Sequence, residues 1–147
     1  MQNFKHEPVE LGYDDLVAES TGSGRIYRDP DGGEYPSVTT VLKILSEEAI
    51  QAWRARVGEE EANRVSRIAS TRGTTVHNMI EKYIANDPDF AKGEMPYNVQ
   101  TFKDVQPILD ECVTKVYCQE APLYSKHLKL AGRVDLVGQW KGVDSII

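Results

Sequence analysis

The spacing of apolar residues along the chain predicts helices first and strands afterwards. From Ser37 onward, apolar residues recur at intervals of three and four, and Ser37 itself is a residue type that caps helix N-termini. The order of helices followed by a strand meander predicts an α+β fold in which helices pack on a small antiparallel or mixed sheet. Helical spacing runs from 37 to 45, 46 to 53, 59 to 70, 74 to 84 and 99 to 118, and short strand-like pieces begin at 116, 123 and 130.

Two hairpins are predicted from turn residues between strand-like segments. Residues 25–28 and 33–35 flank a Pro-Asp-Gly turn, and the strand 130–137 continues towards Lys141-Gly142. If Lys141-Gly142 is a two-residue turn, Trp140 faces Val143 across the second hairpin. Counted back along both arms, Asp135 then faces the position that follows Ile147.

Composition divides the chain into a lead-in and one domain. Residues 1–24 are polar and acidic and are predicted to form a mobile arm, and residues 25–147 are predicted to form the domain. The absence of an apolar run of membrane-spanning length and of a signal peptide favours a cytoplasmic protein without a membrane partner. Two cysteines, Cys112 and Cys118, are too few for a disulfide framework or a four-cysteine cluster.

The net charge of −6 is concentrated at the N-terminus. Residues 1–36 carry −5, whereas residues 37–82 carry +1 and hold five arginines. This helical middle part has two readings: a basic face for phosphates, or a solvated surface on which glutamates pair with arginines.

Few side chains outside the predicted core carry chemistry. His77 and Glu81 lie four residues apart, on one helix face at the border of the apolar stripe, and form either a cation site or a simple helix pair. Asp135 is an acid within a strand, where aspartate is depleted, and needs either an ion-pair partner or a metal. Glu120, taken alone, is a surface acid.

Four motifs follow one another along the chain: Ser37-Val-Thr-Thr-Val-Leu42, Arg72-Gly-Thr-Thr-Val-His-Asn-Met-Ile-Glu81, Glu120-Ala-Pro-Leu-Tyr-Ser125 and Ala131-Gly-Arg-Val-Asp-Leu-Val137. In their order and spacing, these motifs together resemble the RecB-like branch of the PD-(D/E)XK nucleases, in particular phage exonucleases and mitochondrial genome maintenance exonucleases. The resemblance covers roughly residues 37–147 and implies a restriction-endonuclease-like core.

The resemblance implies a metal-dependent deoxyribonuclease that acts as an exonuclease on single-stranded DNA or DNA ends. His77 and Asp135 match metal ligands of the family, and Asp135, Glu120 and Glu81 match its catalytic set. The implied cofactor is Mg²⁺ or Mn²⁺, without an iron–sulfur cluster. The residues expected to contact DNA are Ser37, Thr39, Arg54, Arg56, Arg67 and Arg72.

The family also carries a second acid and a lysine on the strand that follows the hairpin. The register places that acid after Ile147, so we expect a C-terminally truncated nuclease core that is inactive alone and completed by a C-terminal fragment or a second chain. Two alternatives remain open: an inactive DNA- or protein-binding module on the nuclease scaffold, and a purely structural role for the acids and His77.

Overall fold

The computed structural model describes residues 2–12, 16–22 and 24–147, and these form an α+β fold, as predicted. Two antiparallel sheets have the strand orders β1-β2-β3 and β4-β5-β6. In the described residues the elements are β1 (Val17–Thr21), β2 (Gly24–Arg28), β3 (Glu34–Pro36), α1 (Val38–Val57), α2 (Glu59–Ile84), α3 (Pro96–Cys112), β4 (Val113–Ser125), β5 (Leu130–Trp140) and β6 (Val143–Ile146).

The first two helices are longer than the sequence predicted. Ser46 does not begin a new helix; its hydroxyl donates to the Lys43 carbonyl inside α1, a bond that lets serine remain in a helix interior. The predicted interruption at Arg72-Gly73-Thr74 is wrong, because α2 runs through it. Glycine lowers helix stability by only about 1 kcal/mol, which the flanking turns offset. No described helix has both the length and the apolar composition needed to cross a membrane.

The third helix ends earlier than the helical spacing in the sequence predicted. It ends at Cys112, and the residues from Val113 to Cys118 belong to β4. Val113 and Val116 are buried in the core from this strand, so their helix-like spacing came from a strand with two register shifts. Such bulges break the two-residue period by which strands are recognised.

The apolar face predicted for α1 is not covered. Ser37 caps this helix as predicted, with its hydroxyl accepting from the Thr39 N–H at 3.2 Å. However, no residue of α1 is buried, and Leu45, the last residue of the predicted apolar stripe, is 82% exposed. On α2 the buried side chains lie mostly in the C-terminal half, beginning at Val76.

Both predicted hairpins are present. Tyr27 pairs with Tyr35 across the β2–β3 hairpin, and Trp140 pairs with Val143 across the Lys141-Gly142 turn. The β5–β6 pairing continues to Ile147, whose N–H donates to the Leu136 carbonyl at 2.8 Å. This register fixes which residues of the two strands share a face.

The main core lies between α2, α3 and the β4-β5-β6 sheet, and residues of the predicted arm complete it. Phe4 is buried edge-on against Tyr83, which also meets the rings of Phe90 and Phe102. His6 forms a parallel bridge with Val116. Phe4 and His6 therefore attach the beginning of the predicted arm to the domain, since Phe4 fills an aromatic cluster and His6 pairs with β4. Residues 1, 13–15 and 23 of the arm lie outside the described residues.

A second, smaller core lies under the β1-β2-β3 sheet, beside a buried acid. Asp29 accepts a hydrogen bond from the Tyr35 hydroxyl at 2.8 Å and another from the Gly33 N–H at 2.6 Å. The two bonds hold the pKa of the Asp29 carboxyl below its ordinary value, and the bond to Asp29 raises the pKa of Tyr35 to about 12. The hydrogen bond between Asp29 and Tyr35 joins the two ends of the β2–β3 turn.

We expect Tyr35→Phe to lower the free energy of unfolding most at neutral pH. A depressed Asp29 pKa stabilises the fold above the unfolded value of about 3.8, and that contribution is lost as the pH falls through the folded value. A raised Tyr35 pKa stabilises the fold below 10.0 and loses its effect towards 12. Urea unfolding across pH tests this, with Tyr97→Phe as the exposed control. A difference between Tyr35→Phe and wild type that stays constant from acid to alkaline pH contradicts it.

Candidate metal centre

His77 reaches the candidate centre from the C-terminal half of α2. It follows the buried Val76, and the next buried residue on the helix is Met79. The imidazole is therefore partly exposed at the border of the buried stripe, where the helical spacing predicted it.

Glu120 and Asp135 come from neighbouring strands. The pairs Gln119 with Leu136 and Ala121 with Val134 bracket them, so the two acids occupy opposing positions on β4 and β5. Glu120 has a φ of 50°, in the left-handed region that non-glycine residues rarely adopt. The Arg133 guanidinium donates to the Glu120 carbonyl at 2.8 Å and so holds this unusual backbone in place.

The three side chains converge on one point. His77 Nε2 lies 3.4 Å from Glu120 Oε1 and 3.5 Å from Asp135 Oδ1. One ligand atom from each residue lies within 4.8 Å of the other two. Glu120 Oε1 is buried, yet no hydrogen bond satisfies it, whereas the Asp135 side chain is 67% exposed. A buried carboxylate oxygen of this kind is costly unless another group binds it.

This arrangement fits a divalent cation. Ligands about 2.1 Å from an octahedral ion are separated by about 3 Å when adjacent and about 4.2 Å when opposite. The observed separations of 3.4 and 3.5 Å are a few tenths of an ångström longer than the adjacent spacing, so small side-chain movements would bring the three atoms around one ion. Two carboxylate oxygens suit Mg²⁺ and Mn²⁺, and an added imidazole favours Mn²⁺. The three residues therefore form a group that could hold a metal ion, and the identity of that ion stays a prediction.

Glu81 does not share a ligand position with the other three. It lies one turn beyond His77, and its carbonyl accepts a hydrogen bond from Gln119 Nε2 at 3.0 Å. This bond ties α2 to β4 directly beside Glu120. The structure therefore gives the Glu81 backbone a positioning contact, while the carboxylate lies outside the group of three ligands.

A cavity of about 900 Å³ opens from Glu120 and Asp135 towards the N-terminus of α1. Ser37 and Thr39, both predicted to contact DNA, line this cavity. Arg25 and Arg133 also line it, and neither was selected as a site residue from the sequence. The position of Arg133 two residues before Asp135, on the same strand face, was the available sequence signal.

The four predicted DNA-binding arginines have different environments. Arg54 pairs with Glu59, whose hydrogen bonds with the guanidinium hold the pKa of that carboxyl below its ordinary value. Arg72 lines a groove that reaches His77. Among the residues that the structure describes, Arg56 and Arg67 have no ion-pair partner and line neither the cavity nor that groove.

Pairing of glutamates with arginines thus accounts for only part of the basic helix surface. Arg64 pairs with Glu61 at 2.7 Å, as that reading of the sequence expected. Within the described chain, Arg56, Arg67 and Arg72 have no glutamate partner, so their positive charge remains available to an anionic ligand.

No protein-family model, curated protein or solved structure matches this chain.

Proposed function

We propose that the chain carries the metal centre of a DNA-cleaving enzyme, a Mg²⁺- or Mn²⁺-dependent deoxyribonuclease similar to the RecB-like branch of the PD-(D/E)XK nucleases. The observation that carries this proposal is the convergence of His77, Glu120 and Asp135, which come from three different elements, within 4.8 Å. Side chains so distant in sequence meet in a set of two carboxylates and an imidazole. Of the known ligand sets, this one suits a hard cation.

In the proposed reaction three side chains hold the cation and a fourth supports them. His77, Glu120 and Asp135 would hold the cation, and Glu120 would satisfy its buried oxygen by doing so. A bound divalent cation supplies positive charge against the phosphate and lowers the pKa of water. Arg133 keeps the Glu120 backbone in its left-handed conformation and thereby positions that ligand. Its role is support of the centre.

The neighbouring cavity supports phosphate as the group that is acted on. The N-terminus of α1 opens into it, and helix N-termini favour anions. Ser37 and Thr39 offer hydroxyls 2.6 Å apart, and Arg25 adds positive charge on the same wall. A phosphodiester that contacts this wall lies in the same cavity as Glu120 and Asp135.

The proposed chemistry also needs a second acid and a lysine. The lysine would orient or deprotonate the attacking water and offset charge in the transition state. The pairing of Leu136 with Ile147 puts the next residue of the neighbouring strand opposite Asp135, where the resemblance expects that acid. Under this proposal β4, β5 and β6 with α2 form part of a restriction-endonuclease-like core.

The test is Mn²⁺-dependent digestion of end-labelled single-stranded DNA. We compare the 147-residue chain with one in which β6 continues through the expected acid and lysine. Because the reaction needs both groups, we expect cleavage from the continued chain and Mn²⁺ binding by both. In the continued chain, Asp135→Ala should abolish cleavage, whereas the exposed control Asp104→Ala should not.

The binding-module alternative gives a different result in the same assay. A module without catalysis binds DNA equally well with a chelator present, and neither chain cuts. The feature that favours it is the positive charge of Arg56, Arg67 and Arg72, which form no ion pair with the residues that the structure describes. Absence of both cleavage and Mn²⁺ binding, with chelator-insensitive DNA binding, overturns the nuclease proposal.

A further inference from the structure

A groove of about 670 Å³ between α2 and α3 runs up to His77 from the side of α2. Its wall includes Val65 and Ile68, two apolar side chains of α2 that the core does not cover. Arginines flank this apolar wall, and His77 lies at its border. The charged and polar residues that line it are Arg64, Arg72, His77 and Thr101.

An exposed aromatic ring lies beside this groove. Tyr97 is 50% exposed, and the Arg72 guanidinium carbon lies 5.6 Å from the centre of its ring. Arg72 also donates a hydrogen bond to Thr101, whose hydroxyl donates to the Tyr97 carbonyl at 3.0 Å. Thr101 therefore fixes the guanidinium next to the ring.

The charge on Arg72 is not neutralised by a protein carboxylate in the described residues, whereas Arg64 on the same groove pairs with Glu61. The fixed contacts of Arg72 are a neutral hydroxyl and an aromatic ring, and both leave its positive charge in place. A ligand that complements the groove carries a negative charge for Arg72 and flat or apolar groups for the wall and ring.

We propose that this groove binds unpaired nucleotides, with a base stacked beside Tyr97, a phosphate at Arg72, and the strand leading towards His77. Stacking on an aromatic ring accepts any base, and an arginine contacts the backbone without reading its sequence. A double helix presents its bases edge-on and already stacked, so the ring selects single strands. The direction of the strand rests on the proposed function, whereas binding itself does not.

The experiment measures binding of a fluorescein-labelled short oligothymidylate by anisotropy, with EDTA present so that the metal centre plays no part. We expect Tyr97→Ala to weaken binding on the order of ten-fold, the loss of one base–aromatic stack. Tyr97→Phe should bind as wild type does, and Tyr97→Leu should bind as Tyr97→Ala does. Because a duplex offers no free base face, its affinity should not change in Tyr97→Ala.

The arginine has its own readout. Arg72→Ala should weaken binding and lower the slope of log affinity against log salt concentration by about 0.7, the value for one lost phosphate contact on a single strand. Tyr97→Ala should leave that slope unchanged. Lys92→Ala, which removes an exposed cation outside the groove, is the matched control.

Two results overturn the inference. Equal affinity of Tyr97→Ala and wild type for the oligothymidylate removes the stacking site, and wild-type affinity of Tyr97→Leu shows apolar contact without stacking. Circular dichroism and thermal midpoints confirm that each variant is folded. Failure here leaves Mn²⁺ binding at His77, Glu120 and Asp135 intact, and failure of the metal centre leaves Tyr97-dependent binding intact, so the two proposals fail separately.

Discussion

Asp135→Ala is expected to weaken Mn²⁺ binding by on the order of a hundred-fold, since even the loss of a residue that supports a ligand typically weakens metal sites ten- to a hundred-fold. The change removes one of three converging side chains, and the most exposed of the three, so packing changes little. Isothermal titration of the full chain with Mn²⁺ measures the effect. Asp104→Ala, which removes an exposed acid of α3, is the control.

Stability without metal separates a ligand role for Asp135 from a structural one. With the site free of metal, Glu120 and Asp135 bring two like charges close together, and the two carboxylates repel each other. We therefore expect Asp135→Asn to keep or raise the thermal midpoint of the metal-free chain and to lose Mn²⁺ binding. A lowered midpoint together with unchanged Mn²⁺ affinity would show that Asp135 serves as an ion-pair partner of His77 alone.

Gly138→Ala is expected to reduce the free energy of unfolding by about 3 kcal/mol, at the upper end of the usual cost of overpacking. Gly138 lies on β5 opposite Val116, where β4 carries a register shift. A methyl group there would overlap the backbone carbonyl oxygen of Lys115. A backbone atom cannot rotate away as a side chain can, so the strands must separate locally.

Gly132 provides the matched control for this prediction. It lies on the same strand, and a methyl group there would meet the Val38 side chain at 3.6 Å, an ordinary van der Waals distance. We expect Gly132→Ala to change the free energy of unfolding by less than about 0.5 kcal/mol. Urea unfolding of both variants measures the difference, and equal stabilities of the two would contradict the overlap described for Gly138.

The parts of the site that sequence could predict depend on local periodicity. Helical spacing placed His77 at the border of a buried stripe because α2 is regular there, and the Lys141-Gly142 turn fixed the register of β6 because a two-residue turn allows one pairing. The proximity of Asp135 to His77 could be expected only through the resemblance, since nothing local connects α2 to β5.

The position of Glu120 could not be derived from local pattern. It depends on two register shifts in β4 and on a left-handed backbone at a residue that rarely adopts one. Arg133, on the next strand, stabilises that conformation, so the cause lies outside the segment. The periodicity of a segment carries no information on contacts that distant segments make with it.

The lack of information on tertiary contacts also explains why the sequence did not predict the exposure of α1. A stripe of apolar residues predicts a helix and indicates one preferred face, but it does not say whether another element covers that face. Here the stripe predicted the helix correctly, while Val41, Leu42 and Leu45 remain exposed. An apolar helix face is buried only where another element of the fold packs against it.

The N-terminal segment has a consequence for the order in which the chain folds. Phe4 packs against Tyr83, and Glu7 forms an ion pair with Lys115, 108 residues away. During synthesis Phe4 and Glu7 are therefore made well before their partners, and the aromatic core can close only after those partners have been made. Contacts of such long sequence separation slow folding, and we expect the segment to join the fold late, after α2, α3 and β4 have met.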